Sequence, residues 1–246
     1  MALLPNVARR RRQPELMDEP GLAADQHRAA LAGLRRINRV SRSASVLGQA
    51  IRRFAQREKR ESLTVLDVAS GGGDVTISLE HWARRRGLPL DITGVDISPT
   101  AIEHAQRMAD SAGCTAKFRR LDVLNEPFPG RYDVVISSLF LHHLDPPDVK
   151  ILLDKMASAA GHLVLVSDLR RSTAGWLLAQ LACRSLSRSH VVHVDGPRSV
   201  EGAFTIAEMA SLCREANLTD CEIRRCWPCR FLLQYEKTAP HPRPSP

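Results

Sequence analysis

Residues 65–75 read Val-Leu-Asp-Val-Ala-Ser-Gly-Gly-Gly-Asp-Val. An apolar run of strand character passes into three consecutive glycines and then into a segment of helical periodicity. Glycines at that point allow positive φ and let the backbone approach a bound group closely. The unpaired N–H groups of the following helix favour anionic or electron-rich ligands. A parallel α/β sheet meets these terms, because its ligands sit beyond the carboxyl ends of the strands.

The rest of the chain agrees. Residues 63–68, 92–95, 116–121, 132–137 and 162–167 read as short strands, and residues 75–86, 100–112 and 147–159 as helices between them. Strand–helix alternation of this kind predicts an α/β, doubly wound, mostly parallel sheet with helices on both faces. Upstream, Asp25 is placed to cap a helix carrying Leu31, Leu34 and Ile37, and a second helix is expected over 43–56. Downstream, helices are expected over 173–186 and 206–216, separated by a loop over 187–200. Two strand-like runs, 220–226 and 230–236, flank Trp-Pro-Cys and predict an antiparallel hairpin.

The glycine spacing excludes a dinucleotide fingerprint, which needs Gly-x-Gly-x-x-Gly. Asp67 lies inside the strand, where a carboxylate would oppose a pyrophosphate and suit a ligand with a cationic end. Asp96, 29 residues further on, ends the next strand and can accept both hydroxyls of a ribose. Asp122 ends the third strand, where a base edge would lie.

Charge is unevenly placed. Residues 1–60 carry 14 Lys/Arg against 5 Asp/Glu, a net +9 in a chain of net +8, which leaves the remainder at −1. Arg9 to Arg12 form a basic run, read as a solvated tail that can touch nucleic acid or an anionic surface. Aromatic residues are only 4%, too few for a stacking platform for single-stranded RNA. The six scattered cysteines, with no apolar leader over 1–7 and no apolar run of membrane-spanning length, predict reduced thiols in a cytoplasmic protein. Cys226-x-x-Cys229 and His190-x-x-His193 have ligand-like spacing, but Pro228 lies between the cysteines and no metal is expected.

Taken together, "LDVASGGGD", Asp96, Asp122 and "YDVVISSLFLHHL" at 132–144 resemble the class I S-adenosylmethionine-dependent methyltransferases, in their small-molecule, ubiquinone/menaquinone-biosynthesis-like branch. The likeness covers roughly residues 60–237. It implies a seven-stranded Rossmann-like sheet ending in an antiparallel hairpin, with a helical lid ahead of it. The organisation implied is a flexible basic tail over 1–21, a helical cap over 22–60, a catalytic domain over 61–237 with a substrate lid over 170–205, and a disordered tail over 238–246. S-adenosyl-L-methionine is the implied cofactor, held by Asp67, Ala69, Ser70, Gly71, Gly73, Asp96, Ile97, Asp122, Val123 and Ser138. Ala69 stands where the family has its first glycine, a tolerable change if φ there is negative.

Methyl transfer to a hydroxyl is helped by a base. His143 and His142, just past the fourth strand, are the candidates; the resemblance does not choose between them, and His143 is ranked first. His193, with His190 and Asp195, is expected in a lid loop within reach of the acceptor. Asp168 ends the fifth strand and is read as orienting substrate or Arg170. The expected acceptor is a small aromatic or lipid-like molecule, O-methylation being favoured. The competing readings are an RNA methyltransferase, suggested by the basic arm, an NAD(P)-dependent oxidoreductase, and a nucleotide-binding protein without catalysis. No Asn/Asp-Pro-Pro-Tyr/Phe motif follows the fourth strand, which argues against amino groups of bases as targets.

Overall fold

The computed structural model describes residues 7–19 and 21–237. Seven strands form one sheet in the order β3-β2-β1-β4-β5-β7-β6. They are β1 (Leu63–Val68), β2 (Leu90–Asp96), β3 (Lys117–Arg120), β4 (Tyr132–Ser138), β5 (Ala160–Leu169), β6 (Glu222–Cys226) and β7 (Arg230–Glu236). The first five are parallel; β7 runs antiparallel to β5, and β6 antiparallel to β7. The chain order reverses between β1 and β4, and the crevice at their carboxyl ends is where a ligand binds in such sheets.

Side chains alternate across the sheet because a strand has a period of two. Val134, Ile136, Leu163 and Leu165 enter one apolar layer, with Leu47, Ile51 and Phe54 of α2 (Ser43–Arg57) and Leu79 and Trp82 of α3 (Asp74–Arg84). Val135, Val164 and Val166 enter the other, with Leu152 and Met156 of α5 (Pro146–Ala159) and Met209 and Leu212 of α8 (Ile206–Glu215). α4 (Pro99–Ala112) begins at Ser98, whose side chain accepts the Ala101 N–H.

A third, smaller cluster forms the cap. α1 (Ala24–Val40) packs on α6 (Thr173–Leu186) and α7 (His190–Gly202) through Ala30, Cys183, Val191 and Val192. Of the expected helical cap, α1 alone joins this cluster. α2 belongs to the main sandwich, since its Leu47, Ile51 and Phe54 are buried against the sheet. Asp25 lies in the first turn of α1, and Ala23 holds the cap position.

Two expectations are corrected here. The span 187–200 is not a loop: α7 covers most of it, with Pro197 inside the helix. Gly196 and Pro197 read as a break, but a Cβ at Gly196 would lie 2.2 Å from the Cys183 sulfur, so the glycine is needed for close packing of α7 on α6. The span 1–21 is not a solvated tail where it is described. Its residues 7–19 form a strap across the carboxyl edge of the sheet. Arg10 lies over the Phe204 ring at 4.0 Å and donates to the carbonyls of Gly202, His142 and Leu144. Arg12 makes a two-pronged pair with Asp145. The carboxylate of Asp195 accepts the N–H groups of Leu16 and Met17 at 2.9 and 3.0 Å, capping a 3-10 turn there. Residues 1–6 and the expected tail over 238–246 lie outside the described residues.

Candidate active site

A cavity of about 1290 Å³ opens at the carboxyl ends of β1, β2 and β4. It exceeds the roughly 300–1,000 Å³ of a single small-ligand pocket and has room for two ligands side by side. Its floor is the glycine loop. Asp67 is completely buried behind that loop and does not line the cavity, so it can act on a bound group only through the loop. Thr76 Oγ1 donates to its Oδ2 at 2.5 Å, and its Oδ1 has no partner among the described residues. Burial, helped by the charges of Asp74 and Asp96, pushes the Asp67 carboxyl up to about 7 against the Thr76 hydrogen bond. Gly73 does not line the cavity either; it caps α3 in the left-handed region, where a Cβ would meet Phe118 and Ala105.

Ala69, Ser70 and Gly71 do face the cavity. Ala69 has φ of +58°, so the negative φ expected there is corrected. Leu139, at the end of β4, has φ of +57°. Non-glycine residues thus hold the left-handed conformation on both sides of the point where the sheet order reverses, a kind of strain that clusters at functional sites. Asp96 ties the loop to β2: its Oδ2 accepts the Gly71 N–H and its Oδ1 the Ser98 N–H, both at 2.9 Å. A carboxylate has about four acceptor positions, so these bonds are compatible with accepting ligand hydroxyls as well.

Ile97, Asp122, Val123 and Ser138 complete this half of the lining. Asp122 holds its own turn through Asn125 and the Leu124 N–H, and the Asn125 hydrogen bond leads in keeping its carboxyl below the usual range. Ser70 lines the cavity, while its hydroxyl is buried beside Gly94 of β2 and has no partner among the described residues. An open glycine at Gly71, with nothing within 4 Å of a built Cβ, and a carboxylate at a second strand end fit a nucleoside cofactor with an amino-acid tail.

The other half of the cavity is built around His142. Leu141–His143 form a 3-10 turn after β4. Asp168, at the end of β5, is buried and meets His142 Nδ1 at 2.7 Å; it also accepts the N–H groups of His142 and Leu169. Burial alone would raise the Asp168 carboxyl. The charge and hydrogen bond of His142, with the Leu169 N–H, outweigh it and hold the group below its ordinary value. His143 lies beside it, ring centroids 4.3 Å apart, and stacks on Phe140. Glu15 of the strap straddles the pair, one carboxylate oxygen 3.9 Å from each Nε2, and accepts the Ser199 hydroxyl.

His193 is not part of this arrangement. Its Nε2 meets the Ser187 carbonyl at 2.8 Å on α7, and neither it, His190 nor Asp195 lines the cavity. Asp168 orients His142 rather than Arg170. Glu15 was hidden from sequence reading because its segment looked like a tail. Arg230 was also missed. It opens β7, lines the cavity fully buried, and donates to the Ser43 hydroxyl and to Asn38 Oδ1. Burial lowers its pKa to about 10. The available signal was a lone arginine at the head of the apolar run Phe231–Leu233. Glu15, His142 and His143 bring ligand atoms within 4.8 Å of one another, as do Glu80, His81 and Cys114. Cys226, Cys229, His190 and His193 form no such group among the described residues.

Fold, loop and strand-end carboxylates are similar to those of the class I S-adenosylmethionine-dependent methyltransferases, and a family model described as "Methyltransferase domain" matches residues 65–161. Among curated relatives, the ubiquinone biosynthesis O-methyltransferase of Burkholderia ambifaria (strain MC40-6) is 26% identical over 161 residues, 65% of this chain and 66% of the relative. That of Yersinia pestis (strain Pestoides F) is 31% identical over 125 residues, 50% of this chain and 49% of the relative. The chain thus matches about half to two thirds of the length of these relatives. Among solved structures, magnesium protoporphyrin IX methyltransferase from Synechocystis PCC 6803 with bound SAH has a TM-score of 0.56 at 15% identity, over 90% of this chain and 91% of that one. The plantazolicin methyltransferase BpumL, in complex with a monoazolic desmethylPZN analog and SAH, has a TM-score of 0.66 at 14% identity, over 87% and 90%. These two likenesses concern the fold. No helix among the described residues is long and apolar enough to cross a membrane.

Proposed function

We propose that the protein methylates a hydroxyl group on a small aromatic or lipid-like acceptor, with His142 as the base. One observation carries this reading: the buried Asp168–His142 pair, 2.7 Å apart, lines the same cavity as the glycine loop. Ala69, Ser70, Gly71, Asp96, Ile97, Asp122, Val123 and Ser138 are the residues that would hold the cofactor. S-adenosylmethionine, when bound, supplies a methyl group on a cationic sulfonium together with its own leaving group.

The residues of the chain then have three tasks. Asp168 accepts the Nδ1 proton of His142, which leaves the Nε2 lone pair directed away from the buried carboxylate. That nitrogen takes the proton of the acceptor hydroxyl, and Glu15, 3.9 Å away, offsets the charge that develops on the ring. The 2.7 Å bond from His142 Nδ1 to the buried Asp168 moves the base role from the residue ranked first by sequence to its neighbour. The strap and α1 cover the site and exclude water. Leu178, Ala179 and Ala182 of α6 give the acceptor side an apolar wall. The names of the curated relatives support oxygen as the attacked atom.

The test is turnover of methyl-tritiated cofactor against catechols and quinols, with and without a prenyl chain. His142→Ala is expected to lower kcat by about 10²–10⁴-fold while calorimetric affinity for S-adenosylhomocysteine stays unchanged. Asp96→Ala should do the reverse and abolish that affinity. Full turnover in His142→Ala would rule out the base role.

A further inference from the structure

Three elements surround the mouth of the cavity: the carboxyl-terminal half of α1 with the corner that follows it, α6, and the tip of the β6–β7 hairpin. The tip lies against the start of α6, with Cys229 beside Gly175, and Arg170, in the link between β5 and α6, donates its N–H to the Cys229 carbonyl at 2.9 Å. It is tied to the α1–α2 corner by Arg230, which bonds Asn38 and Ser43. α1 is joined to the end of α6 by Arg36, which donates to the Leu186 carbonyl.

Large apolar side chains project outward from all three. Leu177 is 49% exposed, Leu181 66%, Trp227 68% and Val40 54%. Leu178 is both exposed and part of the cavity lining, and Pro228 beside Trp227 lines it as well, so this surface is continuous with the rim. Leu177 and Leu181, four residues apart, share one face of α6.

The charge of the same elements is one-sided. Residues 26–57 hold eight arginines and no Asp or Glu; residues 169–194 hold four arginines and none; residues 223–235 hold three and none. Arg35, Arg36, Arg39, Arg42, Arg184 and Arg188 are exposed, and none forms an ion pair among the described residues. Arg10 and Arg12 of the amino-terminal run play no such part, since they are spent on the strap.

We propose that this face docks on an anionic lipid bilayer, with α6 lying in the plane of the interface and the cavity mouth turned to the headgroups. Exposed leucines beside a tryptophan, bordered by unpaired arginines, are what an interfacial helix presents to such a surface. A nucleic-acid backbone would use the arginines but would leave Leu177, Leu181 and Val40 against water or phosphate. Docking would bring a lipid-borne acceptor to the apolar wall of the cavity without passage through water. That last consequence rests on the proposed function, whereas the docking itself does not.

Vesicle co-sedimentation of the full chain tests it without reference to turnover. Binding to phosphatidylcholine vesicles containing phosphatidylglycerol should exceed binding to pure phosphatidylcholine by about ten-fold or more and weaken with added salt. Leu177→Ser combined with Leu181→Ser should reduce that binding about ten-fold, and Arg184→Glu with Arg188→Glu should do so independently, with circular dichroism unchanged. His142→Ala should bind vesicles like wild type even if inactive, so failure of the catalytic reading and failure of this one are separable. Equal retention on both vesicle types, no retention, or insensitivity to the leucine changes with tight binding to RNA would overturn the proposal.

Discussion

At the scale of single residues, the loop carries two side chains in costly settings. Ala69 sits at φ +58°, a conformation that costs an L-residue about 1–2 kcal/mol. Ala69→Gly removes that strain but adds unfolded-chain entropy of about 0.4–1 kcal/mol. The expected net effect is stabilisation by up to about 1 kcal/mol, read from urea unfolding; a clear destabilisation would show that the Cβ makes a contact of its own. Asp67 is the second case. Its folded pKa of about 7 lies above the ordinary 3.8, so the folded state holds the proton more tightly than the unfolded chain does. Its stabilising effect is complete below the unfolded pKa and is lost as pH rises through about 7. Asp67→Asn should therefore flatten the decline of Tm between pH 4 and 8 and raise Tm at the alkaline end; an unchanged pH profile would count against a protonated Asp67.

At the scale of elements, the strap is the part whose order depends most on distant partners. The 3-10 turn at Leu16–Asp18 is too short to persist alone, and its two capped N–H groups depend on the Asp195 carboxylate 178 and 179 residues away. Asp195→Ala should cost about 1–3 kcal/mol and should raise amide exchange selectively at Leu16 and Met17, with β1 and β4 unchanged. Burial leads in raising the Asp195 carboxyl. By linkage the folded state therefore holds the Asp195 proton more tightly than the unfolded chain, and the stability tied to this group is complete at low pH and falls as pH rises through its folded value. α6 behaves differently. Its outward leucines contribute little to the core, so Leu181→Ser should shift stability by less than about 0.5 kcal/mol.

At the scale of the whole molecule, the sheet is clamped between two apolar layers, and the site lies where both layers end. Leu152, fully buried between α5 and the sheet, is not part of the cavity lining. Leu152→Ala should lower unfolding free energy by about 2–5 kcal/mol yet leave the affinity for S-adenosylhomocysteine in the folded protein intact by calorimetry. Coincident loss of stability and affinity would mean that the cofactor loop and the α5 layer are coupled.

Much of this was legible in the chain itself. Local period and strand-end chemistry marked β1 to β5, the terminal hairpin, the glycine loop, Asp96 and the His142–His143 pair, because each is encoded within a dozen residues. Three things were not legible, and each depends on contacts between distant segments. α7 looked like a loop because Gly196 and Pro197 are helix breakers locally, and it is a helix because Val191, Val192 and Pro197 are buried in the cap. The strap looked like a solvated tail because its arginines find carbonyls and carboxylates only from residues beyond 140. The backbone of Ala69 looked unstrained because sequence carries no φ. Sequence alone determined that this chain would build a parallel sheet with a nucleoside-type loop. Tertiary structure alone decided that Asp168 holds His142 and that Glu15 lies over both histidines. A side chain's partner across 120 residues is a property of packing, not of local pattern.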